Sequence, residues 1–172
     1  MPASILIRDH GRLIELHYAS LLEYHGDGAL AGAAIGFQAM ACAAARLSGA
    51  RRVWDRRDLH VVSWHHGPGV RDAIEFVTRA VTRNRYTQHA DGGSCARLDA
   101  FRFLVRERAL EVSVALRPGV VSEEFFALAS LPQRDAAQEI ALVRLKAEVA
   151  ERVITSPAER LFDVHMEAAV HA

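Results

Sequence analysis

The stretch from Ala29 to Leu47 constrains the fold more than any other part of the chain, because it is mostly Ala and Gly. Alanine is the strongest helix former. The small side chains let a neighbouring backbone come close, as in a central buried helix. A helix is expected from Gly32 to Leu47, ended by Ser48-Gly49. Gln38 and Arg46 interrupt the run, which falls short of the roughly 18–20 consecutive apolar residues of a membrane span. Met1 to Arg12 shows no charged-then-apolar leader pattern.

Around this helix the other elements alternate in kind. Leu13, Leu16, Leu21 and Tyr24 predict a helix from about Arg12 to Tyr24, broken by Gly26 and Gly28. Asp58 to Trp64 reads as a strand and His65 to Gly69 as a turn. Val70 to Val81 reads as an amphipathic helix through Ile74, Val77 and Val81. Thr82 to Ser94 is polar and irregular. Leu98–Val105 and Leu110–Leu116 alternate with period two and predict a hairpin ended by Pro118-Gly119. A short helix is expected over Ser122–Ser130. A long one is expected over Asp135–Ile154, with Ile140, Val143, Ala147, Val149 and Val153 on one face. Ser156-Pro157-Ala158-Glu159 reads as a helix start with Ser156 as N-cap, and His165 to Ala172 as a frayed tail. With 172 residues, 51% of them hydrophobic, one domain is expected over 1–172. Its class is α+β: helices packed on a small antiparallel sheet containing a long hairpin.

Lysine plus arginine equals aspartate plus glutamate at 21 each. That balance argues against nucleic acid as a partner, and nothing points to a membrane surface. The two cysteines, Cys42 and Cys95, exclude a disulfide scaffold, so the cytoplasm is the expected compartment. Cys42 lies in the apolar run and is expected to be packed. Nine histidines are many for this length and hint at metal or proton chemistry.

Three places carry that chemistry. In His25-Gly26-Asp27-Gly28, an imidazole and a carboxylate could face one cavity, as metal ligands or as a base with its orienter. Gly26 and Gly28 would let backbone approach a ligand. The plainer reading has Asp27 capping the following helix. In Ser63-Trp64-His65-His66-Gly67-Pro68-Gly69, histidines sit at a strand end before a helix, where sites are held rigidly yet exposed. Neighbouring histidines point different ways, so at most one of the two would face a pocket; the plainer reading has one bound to a carbonyl and the other solvated. In His89-Ala90-Asp91-Gly92-Gly93-Ser94-Cys95, His, Asp and Cys flank a glycine pair that completes a site or forms a surface loop. Arg83 and Arg85 could bind a carboxylate or phosphate, or be solvated. The P-loop, the dinucleotide GxGxxG, HExxH, GxSxG and paired CxxC motifs are all absent.

Four blocks in order resemble the FmdE-like family of formylmethanofuran dehydrogenase proteins over most of Arg12 to Val164. Tyr24-His25-Gly26-Asp27 with Gly32-Ala33-Ala34-Ile35-Gly36-Phe37 resembles its aromatic-His-Gly-His-x-Cys-Pro-Gly segment leading into a Gly/Ala helix. Gly69-Val70-Arg71-Asp72-Ala73-Ile74 resembles its Cys-Gly-Val-Asp-Ala-Ile helix start. Ala100-Phe101-Arg102-Phe103 through Leu116-Arg117-Pro118-Gly119 resembles its hairpin, and Glu151-Arg152-Val153-Ile154 with Pro157, Glu159, Leu161 and Phe162 its C-terminal segment. The resemblance implies an α+β core, a homodimer and a metal-associated cleft. His25 matches the family's first histidine and Asp27 stands where its second would be. The family's cysteines are missing, with His65 or His66 as replacements. Such a His/Asp set suits zinc, iron, manganese or nickel; an axial imidazole for haem is the lesser alternative.

The expected function is a small metal- or cofactor-binding protein, with a small-molecule substrate if it is an enzyme. His25, Asp27, His65 and His66 would be ligands. His25, Asp27 and His66 would carry any proton chemistry, and Tyr24, Trp64, Gly26 and Gly28 would contact the cofactor. Two alternatives stand beside it. One is a non-catalytic accessory or dimerisation module that has lost this chemistry. The other is an organic-cofactor site with Trp64, Tyr86 and Phe76 stacking a ring.

Overall fold

The computed structural model describes residues 3–49, 52–91 and 96–168. It is an α+β fold with one two-stranded and one five-stranded sheet. The chain opens with a hairpin, β1 (Ser4–Asp9) and β2 (Arg12–His17), followed by α1 (Tyr18–His25) and α2 (Leu30–Leu47). Next come β3 (Leu59–Ser63), α3 (Pro68–Thr78) and β4 (Tyr86–Gln88). The hairpin β5 (Arg102–Glu107) and β6 (Leu110–Leu116) follows, then α4 (Glu123–Ser130), α5 (Ala136–Thr155), the short α6 (Ala158–Leu161) and β7 (Phe162–Ala168). The large sheet runs β4-β3-β5-β6-β7. Its β3–β4 pair is parallel and the other pairs are antiparallel. The sheet is therefore mixed, where an antiparallel one was expected.

The helix α2 is the centre of the fold. Thirteen of its residues are buried, from Ala31 to Leu47, and it touches α3, α5, α1 and three strands of the large sheet. Its 18 residues have a mean hydropathy of 1.4, enough by length and composition to cross a membrane, and 72% of that stretch is buried inside this fold. Gln38 ties it to α5 by donating its side-chain N–H to the Val153 carbonyl at 3.1 Å. Cys42 is buried here, as expected, and burial pushes its thiol up to about 11.

Small residues bring α2 and α3 into backbone contact. A methyl group at Gly36 would lie 2.9 Å from the Ala73 side chain, and one at Gly69 would lie 2.8 Å from the Ala33 nitrogen. Both are closer than carbon packing permits.

Several elements differ from the sequence reading. The expected Arg12–Tyr24 helix divides into β2 and α1, because His10 and Gly11 both take positive φ in a two-residue turn that folds Arg12–His17 back on β1. Leu13 and Tyr24 are consequently exposed, while Leu21 is buried. Strand β4 lies within the segment read as irregular. Leu98–Ala100 is a short 3-10 turn before β5 rather than part of it. On α5, Ile140 and Val143 are exposed, and Leu142, Leu145, Val149, Ala150 and Val153 form the buried face. Pro157, not Ser156, is the N-cap of α6. The supposed tail from His165 contributes β7 as far as Ala168, paired along β6; residues 169–172 lie outside the described residues.

Gly69→Ala should destabilise the protein by about 1–3 kcal/mol, the range for overpacking a close contact. Gly28→Ala, where nothing lies within 4 Å, should stay within about 0.5 kcal/mol of wild type. Urea unfolding of both variants checks this; equal midpoints would refute the close-contact account.

Candidate functional site

The end of α1 and the first turns of α3 hold the first polar constellation. Gly26 caps α1 with φ 78° and donates its N–H to the Leu22 carbonyl at 2.8 Å. That turn carries His25 inward, where its side chain is 6% exposed. Its Nδ1 lies 2.7 Å from Asp72 Oδ2. Nδ1–H donating to this carboxylate leaves Nε2 as the lone-pair nitrogen. Nε2 is buried and has no hydrogen-bond partner among the described residues. This is a base-and-orienter arrangement, but the orienter is Asp72, 47 residues away, and not Asp27. Asp27 is exposed and has no hydrogen bond among the described residues, and Gly28 faces open space. Nor does Asp27 cap α2, whose N-cap is Ala29, without a side-chain bond.

The second constellation is the C-terminal end of β3. His65 is buried, with its ring 4.3 Å from that of Phe101, and its Nδ1 accepts the Gly67 N–H at 3.0 Å. His66 turns the other way, its Nε2 donating to the His89 carbonyl at 3.0 Å. Trp64 stacks on His89 at 4.4 Å, and the Arg102 guanidinium sits 4.7 Å from the Trp64 ring centre. Trp64 and Arg102 line an open cleft of about 870 Å³ beside β5. Phe76 lines a different cavity with Tyr24, its ring 6.2 Å away, so Trp64 and Phe76 do not stack one ring between them.

Behind His65 lies a smaller, mostly apolar cavity of about 240 Å³. Ala29, Ala31 and Gly32 from the start of α2 line it, together with Gly67, Pro68 and Gly69 from the start of α3. Neither helix start has a side-chain cap or an acidic residue in its first turn. Helix starts carry unpaired N–H groups and partial positive charge. Lys146 of α5 also lines this cavity and has no hydrogen bond or ion pair among the described residues. Phe101 and Phe125 supply aromatic walls.

A third cluster sits where the hairpin meets α1 and α3. Arg56, Arg79 and Arg83 line a cavity of about 460 Å³ with Asp9 and Glu75. The Arg56 side chain is only 9% exposed. Burial lowers its pKa, Asp9 works against that, and the neighbouring Arg83 and Arg79 charges lower it further.

No group of three or more His, Cys, Asp or Glu side chains suited to a metal ion exists among the described residues. His25, Asp27, His65 and His66 are thus not gathered into one donor set. Cys95 and the Gly92-Gly93 pair lie outside the described residues. Sequence reasoning assigned no role to Asp72, Lys146, Arg102, Arg56 or Arg79. Asp72 and Arg102 left a trace, inside the Gly69–Ile74 and Ala100–Phe103 blocks. No family model matches the chain, and no curated protein matches it.

The neutral ring of His25 should carry its proton on Nδ1. Long-range proton–nitrogen correlation spectra should show this tautomer in wild type and lose its predominance in Asp72→Ala. Predominant Nε2 protonation in wild type would refute the arrangement.

Proposed function

We propose that the protein binds a small organic anion, a carboxylate-bearing metabolite or cofactor with a compact apolar body, in the cavity between the starts of α2 and α3. The observation that carries this is the meeting of two uncapped helix starts with Lys146 around an otherwise apolar pocket. A cationic rim with no acidic residue among its lining favours an anion, and the helix ends supply backbone donors for it. The aromatic walls, Phe101 and Phe125, suit the apolar part. His65, with Nδ1 engaged by the Gly67 N–H, carries the proton of its neutral form on Nε2.

In this reading the chain keeps the core of the FmdE-like family and replaces its thiolate chemistry by anion recognition. Support comes from the two resembling blocks at 24–37 and 69–74, which pack on each other through Gly36, Gly69 and Ala73. Calorimetric titration with hexanoate and benzoate should give saturable one-site binding. Lys146→Ala should weaken it by roughly tenfold or more, the worth of a charge-assisted hydrogen bond. Binding unchanged in Lys146→Ala would overturn the assignment. So would purified protein carrying one equivalent of metal that His25→Ala or His66→Ala loses, which would restore the metal reading.

The exposure of Ile140 (72%) and Val143 (63%) favours a second reading, a homodimer joined through α5. These side chains lie three residues apart on one helix face, where a partner helix would cover them. Light scattering should give twice the chain mass for wild type and the single mass for Val143→Glu. A monomeric wild type at roughly 100 µM would exclude it, since dimer stability depends on protomer concentration.

A further inference from the structure

The arginine-lined cavity between the hairpin, α1 and α3 is separate from the pocket at His65, and its charges are not closed internally. Three guanidiniums face two carboxylates. Glu75 is largely engaged elsewhere: it accepts the Val81 and Thr82 N–H groups at 2.9 and 3.1 Å and the Thr82 hydroxyl. Its contact with Arg79 is a loose 3.7 Å. Asp9 is divided between Arg83 at 3.3 Å and Arg56 at 3.6 Å. Arg56 also donates to the Phe76 carbonyl at 3.0 Å, which fixes its plane. Two guanidinium nitrogens, Arg56 Nε and Arg83 Nη1, are buried without an acceptor among the described residues. Buried donors in folded proteins almost always have a partner.

We infer that this cavity binds a phosphate monoester, with the phosphate between Arg56, Arg79 and Arg83 and a flat apolar group against Tyr24 and Phe76. The two unpaired donors belong to different guanidiniums. A carboxylate is matched best by the parallel fork of one arginine, whereas a tetrahedral phosphate accepts from several directions. Arg79, half-exposed, stands where it can close over a bound group. The neighbouring wall is apolar: Tyr24 and Phe76 lie 6.2 Å apart, and Leu16 of β2 lines the same cavity. Tyr24 is 56% exposed, so its ring is available to a ligand.

Calorimetric titration with inorganic phosphate, phenyl phosphate and benzoate tests the assignment. Phenyl phosphate should bind about threefold to tenfold more tightly than inorganic phosphate, and benzoate should not compete with it here. Arg83→Gln and, separately, Arg79→Gln should each weaken phosphate binding by roughly tenfold, and Tyr24→Ala should abolish the preference for the phenyl ester. Circular dichroism of each variant without ligand checks that it is folded, and Lys146→Ala should leave phosphate binding unchanged. The inference is overturned if neither phosphate binds at millimolar concentration. It is also overturned if a folded Arg83→Gln and a folded Arg79→Gln bind phosphate like wild type, or if benzoate displaces phenyl phosphate from a site that survives Lys146→Ala.

Discussion

The backbone contact between α2 and α3 fixes where the His65 cavity and the His25–Asp72 pair lie. It exists because Gly36 and Gly69 have no side chain and Ala73 has only a methyl. Larger residues would hold the two helices farther apart. At contact distance, the start of α3 lies against the Ala29–Ala33 segment. The starts of both helices therefore open into one cavity, which His65 and Lys146 also line. The same contact holds α1, which leads into α2, over α3 so that His25 meets Asp72.

A net charge of zero conceals an uneven arrangement. Where β5 turns toward β6, Glu107 is buried and satisfied. It accepts from Arg52 Nη1 at 2.8 Å and from the Asp55 N–H at 3.2 Å, beside the fully buried Trp54. Such a closed pair is a structural feature. The cluster at Arg56 is built from the same kinds of residue with a different outcome, because Glu75 serves the backbone at the end of α3 and leaves one carboxylate for two guanidiniums. An unmatched buried donor costs about 1–3 kcal/mol. Overall charge says nothing about this difference, which arises because Glu75 is taken up by the N–H groups of the turn after α3.

The fold was largely legible where one residue type repeats. The Ala/Gly run specified α2, alternation specified β6, and Ser122 and Asp135 marked the starts of α4 and α5, where both accept backbone N–H groups. The first hairpin was misread because Leu13, Leu16 and Leu21 fit a helical spacing, while the deciding signal was the two-residue His10-Gly11 turn. The α5 face was misread because an exposed helix can carry apolar residues on its outer side, and Ile140 and Val143 do. The site was less legible, for a physical reason. His25 and Asp72 are joined across 47 residues, and Lys146 reaches the pocket from a helix with no local link to β3. Spacing along a chain reports neighbours within one element, not pairs made by helix packing.

The adjacent histidines show how far local reasoning goes. That His65 and His66 face different ways follows from strand-end geometry, and they do: one toward Phe101 and the inner cavity, the other to the His89 carbonyl. What strand geometry leaves open is which one faces the inner cavity. The close approach of α3 decides it. Gly67, the N-cap of α3, gives its own N–H to His65 Nδ1, so the imidazole lies beside the helix start without capping the N–H groups that a serine or aspartate at the N-cap would take. An aspartate there would bring a negative charge that neutralises the helix end and repels an anion. A neutral imidazole receives the N–H without adding that charge, so the helix end keeps its positive character. The proposed anion recognition therefore rests on the histidine at 65 as much as on Lys146.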